Sequence, residues 1–274
     1  NITLRFKTIF MWWTKKRNKE KTKMKIETKC ENTWCPGCYN FMILNSIKKT
    51  IKKFNQKDFA MVTGIGCHAK IFDYLNLSGF YGLHGRVLPT MLGIKLGNPK
   101  LNVIGFAGDG DTYSEGLSHF ISAGRYNSNI TLFVHDNQSF SLTTGQVTPT
   151  SQQGFKSKAE PLGNINKPLD PLKLALASGA TFVARCNSKD INHTAKIMEQ
   201  AIKHEGFSFV EIIQTCVIFN KEMDNLTKYT YKVNNKTNMK KALQLANKWD
   251  YNSAKGKIPV GIIYKEKRKT LEST

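Results

Sequence analysis

The chain has 274 residues and is 40% hydrophobic, enough for one large domain or two small ones around a buried core. Its formal net charge is +21, from 41 Lys and Arg against 20 Asp and Glu. The basic residues are scattered throughout, so the excess reads as compositional bias and not as a nucleic-acid footprint. No apolar run reaches the roughly 20 residues of a membrane span, and the short run at 9–13 lacks the cleavage site of a signal peptide. Six cysteines without a secretory signal point to metal ligation in a reducing cytoplasm, not to disulfides.

Residues 1–29 read as a basic, solvated, disordered tail, because 15–29 is rich in lysine with little apolar periodicity. Met24 stands just before the recognisable part, so the first 23 residues read as an upstream extension. A single domain is expected over 30–274. After Trp34-Cys35-Pro36-Gly37-Cys38, the residues Ile43, Ile47, Ile51 and Phe54 form one apolar helical stripe, packed in the core. Residues 59–63 form a strand with the turn Gly64-Ile65-Gly66-Cys67 at its carboxyl end. His84-Gly85-Arg86 precedes a helix starting near Pro89. Residues 101–107 are a short apolar run, a buried strand. Gly108-Asp109-Gly110-Asp111 follows, then a helix over 114–126 with Ser114 as N-cap, then a second buried strand over 130–134. Residues 142–151 read as an ordered loop over the site and 152–168 as a surface segment. A helix at 171–177, a strand at 180–185 and a strand at 207–213 come next. Between these strands a helix opens at Asp190, with Ile191, Thr194, Ala195, Met198, Ala201 and Ile202 on its inner face. Residues 217–274 are less regular, with one helix near 239–249. Neither an internal repeat nor a clear second domain is visible. Strand and helix alternate, which predicts an α/β fold, doubly wound around a mostly parallel sheet.

A right-handed crossover would place the strands before Asp109 and Asn137 side by side, with both residues at the carboxyl edge where open α/β sheets bind ligands. One carboxylate and one amide oxygen suit magnesium, with phosphate oxygens and water completing the shell. Gly110 allows close approach of the backbone to a phosphate, and the helix that follows aims free N–H groups the same way. Alone, Gly-Asp-Gly is an ordinary tight turn. With 26 residues between Gly110 and Asn137, the pattern resembles the thiamine-diphosphate motif. That resemblance implies Mg2+ held by Asp109, Asn137 and the carbonyl of Ser139.

Cys35-x-x-Cys38 by itself is a zinc half-site, a redox pair or chance. No second close pair exists. Cys67 and Cys216 each follow a predicted strand and could converge with it, and such a set suits an iron–sulfur cluster or a zinc ion equally. Cys30 and Cys186 fit no pattern.

Together Trp-Cys-Pro-Gly-Cys at 34–38, Gly-Ile-Gly-Cys at 64–67, Leu-His-Gly-Arg at 83–86, Gly-Asp-Gly-Asp at 108–111, Leu-Thr-Thr-Gly-Gln at 142–146 and Cys-Val-Ile-Phe-Asn at 216–220 resemble the beta subunit of 2-oxoacid:ferredoxin oxidoreductases, from about residue 30 to the end. The resemblance implies the diphosphate-side fold of thiamine enzymes and a 4Fe–4S cluster on Cys35, Cys38, Cys67 and Cys216. It also implies thiamine diphosphate held near Ile65, Gly66, Cys67, His68, His84, Arg86, Gly110, Asp111, Ser141, Leu142 and Thr143. An alpha subunit would cover the aminopyrimidine and supply the activating glutamate, in a heterodimer or a dimer of heterodimers. The implied reaction is oxidative decarboxylation of a 2-oxoacid to acyl-coenzyme A and CO2, with electrons passing through the cluster to ferredoxin. Tyr39 stands where the family usually has glycine, which would crowd the backbone near the cluster, and Phe140-Ser141 replaces the common Tyr-Gly. Lys70 would meet the distal carboxylate of a dicarboxylic acid such as 2-oxoglutarate, unless it is one more surface lysine. Leu142 would wall the aliphatic part. Two other readings are a non-oxidative thiamine enzyme that kept the cysteines and a basic nucleic-acid-binding protein with a structural metal. Iron content, ferredoxin reduction and salt-resistant binding separate the three.

Overall fold

The computed structural model describes residues 25–252 and 257–273. Eight runs build one sheet: β1 (Phe59–Thr63), β2 (Gly79–Tyr81), β3 (Asn102–Gly108), β4 (Ile130–Asp136), β5 (Phe182–Asn187), β6 (Ser208–Ile213), β7 (Thr230–Asn234) and β8 (Ile258–Lys265), in the order β2-β1-β3-β4-β6-β5-β8-β7. Every neighbouring pair is parallel except β5 with β8. The connecting helices are α1 (Asn40–Ile51), α2 (Ile71–Tyr74), α3 (Val87–Gly97), α4 (Leu117–Tyr126), α5 (Pro171–Ser178), α6 (Ile191–Ile202), α7 (Met223–Leu226) and α8 (Met239–Ala246). This is the expected doubly wound α/β architecture.

Successive strand residues feed opposite cores, because side chains alternate across a sheet. Leu132 and Val134 of β4 join Val62 and Phe209 in one core, while Phe133 joins Met61, Ile104 and Ile212 in the other. The stripe Ile43, Ile47 and Ile51 of α1 is fully buried in this second core. There α1 packs on α6, and the hydroxyl of Thr50 donates to the Ala195 carbonyl at 3.0 Å. Helix α6 starts as expected, with the Asp190 carboxylate accepting from the His193 N–H at 3.0 Å. Its buried face contains Ile197 in place of the half-exposed Ile191.

Three expectations change. Residues 1–24 of the expected tail lie outside the described residues, but 25–29 already belong to the body. Ile26 is buried in a core cluster, Glu27 bridges to Leu75, and the Asn76 N–H donates to the Ile26 carbonyl at 2.9 Å. Ser114 is not a cap, because the chain coils directly from β3 at Asp109, passes through a π-helical turn at Asp111–Glu115, and reaches α4 after Gly116. The region beyond 217 carries two strands. In β8, Pro259 and Gly261 mask the strand pattern. Gly261 has φ +125° and sits where a Cβ would lie 2.1 Å from the Val233 carbonyl oxygen, beside a register shift between Val183 and Ala184. Among the described residues no helix is long and apolar enough to cross a membrane.

Behind the carboxyl edge lies a buried charge network. Arg185 of β5 donates from Nε to Glu211 of β6 at 2.5 Å, and both side chains are fully buried. Tyr251 donates to Glu211 at 2.8 Å and accepts from Arg185. The guanidinium also lies 5.0 Å from the centroid of Trp249 and 5.1 Å from that of Tyr251. Removing one member strands a buried charge, which costs about 3–5 kcal/mol, whereas replacing both with apolar groups is far milder. Arg185→Met is therefore expected to lower unfolding free energy in urea by about that amount, and Arg185→Met combined with Glu211→Leu to recover much of the loss. A double variant as unstable as the single would contradict the pairing.

Candidate functional site

The site grows from the parallel pairing of β3 with β4, in which Gly108 is level with His135. Asp109 and Asn137 are the residues immediately past the two strand ends. Asp109 is 3% exposed, and its Oδ2 accepts from the hydroxyls of Thr148 at 2.6 Å and Thr150 at 3.0 Å. Burial pushes its carboxyl up to about 6, against the lowering effect of those two hydroxyls and of the backbone N–H groups of Asp109 and Gly110. Asn137 Oδ1 accepts from the Ser139 N–H at 3.1 Å, and the Asn137 carbonyl accepts from Asn220 Nδ2 at 3.2 Å. The loop reversing at Gln138, φ +55°, presents the buried Ser139, whose hydroxyl has no protein partner.

Asp111 anchors the neighbouring turns. Its Oδ1 accepts from the Gly85 N–H and lies 3.4 Å from His84 Nδ1, and its Oδ2 is 3.3 Å from His68 Nε2 without hydrogen-bond alignment. The glycines here are required by contact. At Gly66, φ +150°, a Cβ would meet the His68 ring at 2.7 Å, and at Gly110 one would meet Phe140 at 2.2 Å. These turns enclose a cleft of ≈ 510 Å³. Ile65, Gly66, Cys67, His68, His84, Asp109, Gly110, Asp111, Asn137, Ser139, Ser141, Leu142 and Thr143, all expected from sequence, line it. Arg86 does not: it precedes α3, is exposed, and contacts His119 Nε2 at 3.0 Å. Gly108 of the motif and Phe140 also line the cleft, as do His135 and Gln214, which were not foreseen as site residues. The position of His135 and Gln214 at the ends of β4 and β6 was the available signal.

A second cavity of ≈ 790 Å³ lies against the first. Cys35, Cys38, Cys67 and Cys216 line it together, with Trp34, Asn40 and Lys70. Trp34 Nε1 donates to the Cys67 carbonyl at 2.7 Å, joining the first cysteine segment to the third cysteine. Burial pushes the Cys67 thiol up to about 11, and its neighbours Cys38 and Cys216 add to the rise while Lys70 opposes it. Burial, then Cys35 and Cys216, raise Cys38 as well, against bonds from Asn40. Among the described residues no three His, Cys, Asp or Glu side chains close on one point as a single-ion site would; the thiols surround a space. Cys186 is buried within β5 and Cys30 is exposed, both away from this cavity, and all six cysteines are free thiols.

Neither departure from the family pattern disturbs the frame. Tyr39 has φ −71° and ψ −8°, a conformation open to any residue, and its hydroxyl donates to Asp224 at 2.8 Å. Phe140 bridges to Gln146 and closes the loop over Gly110. Lys70 donates to the Thr33 carbonyl at 3.1 Å on the wall of the cysteine cavity, and Leu142 lines both cavities.

Residues 64–212 match the family model for the C-terminal thiamine-pyrophosphate-binding domain of thiamine pyrophosphate enzymes, and 216–274 match that for the C-terminal part of the pyruvate ferredoxin oxidoreductase beta subunit. The 2-oxoacid:ferredoxin oxidoreductase subunit beta of Saccharolobus solfataricus is 45% identical over 193 residues, covering 69% of this chain and 63% of that subunit. A Sulfolobus sp counterpart is 37% identical over 85% of this chain and 81% of its own length, and the 2-oxoglutarate synthase subunit KorB of Archaeoglobus fulgidus is 41% identical over 67% and 69%. In three dimensions the chain is similar to the 2-oxoglutarate:ferredoxin oxidoreductase of Magnetococcus marinus, solved with 2-oxoglutarate, coenzyme A and succinyl-CoA bound. The TM-score is 0.87 at 31% identity, covering 93% of this chain and 89% of that one. The chain therefore belongs to the beta-subunit family of the 2-oxoacid:ferredoxin oxidoreductases.

Proposed function

We propose that this chain is the diphosphate-binding, electron-accepting half of a cytoplasmic 2-oxoacid:ferredoxin oxidoreductase. The observation that carries the reading is the shared wall of the two cavities: Cys67, Asn137, Ser141, Leu142, Thr143 and Gln214 line both. The residues fit the groups. Asp109, Asn137 and the Ser139 carbonyl offer hard oxygen atoms for Mg2+, and the backbone coiling from Asp109 offers N–H groups to a diphosphate. The buried Ser139 hydroxyl, at the cleft wall, has no hydrogen-bond partner in the protein. Four thiols around one cavity suit a 4Fe–4S cluster.

When bound, thiamine diphosphate supplies a thiazolium carbon that adds to the keto carbon of a 2-oxoacid and accepts the electrons freed as CO2 leaves, and the cluster takes electrons singly toward ferredoxin. The chain's own residues fix these groups side by side. Asp109 and Asn137 hold the metal end, the Gly66 and Gly110 turns admit the diphosphate, and burial keeps water from the floor. Leu83 beside His84 is 73% exposed and Leu142 is 45% exposed, which leaves apolar surface at the mouth for an alpha subunit to cover. Reconstitution with the alpha subunit tests the function. The expected result is thiamine diphosphate, four irons and four labile sulfides per beta chain, with 2-oxoacid-dependent ferredoxin reduction only when both subunits and coenzyme A are present. Decarboxylation without iron or ferredoxin reduction would leave the non-oxidative reading.

The raised Asp109 pKa sets a pH window. The carboxyl goes from an ordinary 3.8 to about 6 in the metal-free fold, so keeping it ionised costs the fold stability that is lost as pH rises from about 4 to 6. Mg2+ restores it, in competition with the proton. Magnesium-dependent cofactor affinity is therefore expected to fall by up to about tenfold per pH unit below about 6. Thr150→Val, which removes one donor, should move that midpoint upward. An affinity flat between pH 5 and 7 would remove Asp109 from the metal.

Lys70 is proposed to favour dicarboxylic acids through its remaining ammonium N–H groups. A charge-assisted bond contributes about 1.5–3 kcal/mol, or roughly ten- to hundredfold. In the reconstituted complex Lys70→Ile should lower kcat/KM for 2-oxoglutarate by that factor relative to pyruvate. Equal falls for both acids would return Lys70 to a structural role on Thr33.

A further inference from the structure

Asn40 is the first residue of α1, two positions after Cys38, and its side chain is fully buried. It lines the cysteine cavity. Its Oδ1 and Nδ1 of His135 are 2.8 Å apart, and His135 lines the neighbouring cofactor cleft. Its Nδ2 has no aligned hydrogen bond within the protein, although Asn40 stands near enough to Cys38 to favour the thiolate from both its backbone and its side chain. The amide orientation follows from charge. Turned over, it would aim a carbonyl oxygen at the thiolates and leave His135 facing an amino group. With Oδ1 on His135, the imidazole must donate from Nδ1, and its unpaired Nε2 carries the lone pair.

We propose that Asn40 is the residue that couples the two cavities, its amino group donating to sulfur of the cluster while its carbonyl holds the His135 tautomer in the cofactor cleft. The inference rests on the 4Fe–4S reading and adds a positioning residue to it. A buried N–H donor unsatisfied by protein is costly, and a sulfur-rich, electron-accepting partner removes that cost. Donors to cluster sulfur stabilise the reduced, more negative state and raise the reduction potential. Asn40 ligates neither iron nor Mg2+, so its replacement should leave the cluster's composition intact.

The test uses the reconstituted complex, with iron and sulfide counted first. Asn40→Asp keeps an oxygen for His135 and removes the donors, and Asn40→Leu removes both arms. Each is expected to keep four irons and to lower the reduced-to-oxidised ratio at fixed potential about tenfold or more in an EPR-monitored titration, about 59 mV downward for a one-electron couple. Side-chain 15N labelling of asparagine should give a weak nitrogen coupling to the reduced wild-type cluster in pulsed EPR, and this measurement decides the matter if the variants fail to assemble. Unchanged potentials in iron-replete variants, or no nitrogen coupling in the wild type, overturn the role of Asn40 while the cluster reading stands. A wild-type complex without iron and labile sulfide overturns both.

Discussion

The site depends on the pairing of β3 with β4. Parallel strands in register end at the same level, so a residue just past each end is brought to a common edge without any contact between the two turns. Slipping the register by one residue would exchange the two cores, sending Phe133 and Phe106 into the space filled by Leu132 and Val134. Burial of both faces therefore holds the separation of Asp109 from Asn137. The same logic places Cys67 beyond β1 and Cys216 beyond β6, so that the cysteine cavity and the cofactor cleft share one rim.

Holding acids at that rim has an electrostatic cost, met from behind. Asp109, Asp136 and Glu211 are all buried, and Arg185 pairs with Glu211. Burial, then Asp109 and Glu211, push the Asp136 carboxyl well above the usual carboxylate range. Thr150 bonds to both Asp109 and Asp136, at 3.0 Å each. The arrangement leaves the negative charge of Asp109 facing the cleft, where a divalent cation would meet it, and keeps the charge behind it compensated by Arg185. Tyr251, from the C-terminal part, bonds to Glu211 and through its carbonyl accepts from Gln138 at 3.3 Å. The region beyond 216 thus helps support the loop at Gln138.

Much of this was legible because buried parallel strands announce themselves as short apolar runs, and five of the eight strands, β1, β3, β4, β5 and β6, lie in or near such runs. The site was legible for a related reason: residues past strand ends are free of packing demands, so Asp109, Asn137 and the cysteines stand out. What stayed hidden has physical causes. β2 is exposed and only three residues long, and β7 and β8 carry polar residues, Pro259 and Gly261 where strands normally carry neither of the last two. Ser114 fits a capping rule, but the helix begins earlier in a π turn that no local propensity signals. His135 and Asn40 carry no local signal, because what joins them is a contact across 95 positions.

The two cavities are joined by more than a common wall. Three hydrogen bonds tie the cysteine segments to one another and to the cleft: Trp34 to the Cys67 carbonyl and Asn40 to His135, both from the Cys35–Cys38 segment, and Asn220, four residues after Cys216, to the Asn137 carbonyl. A displacement of the Asn137–Ser139 loop would pull on the Cys216 loop through Asn220, and a displacement of α1 would reach the cleft through His135. Packed, hydrogen-bonded elements respond to such pulls by switching between discrete arrangements more readily than by stretching. The bonds that join the walls of the two cavities come from two amide side chains and one indole, none of them charged.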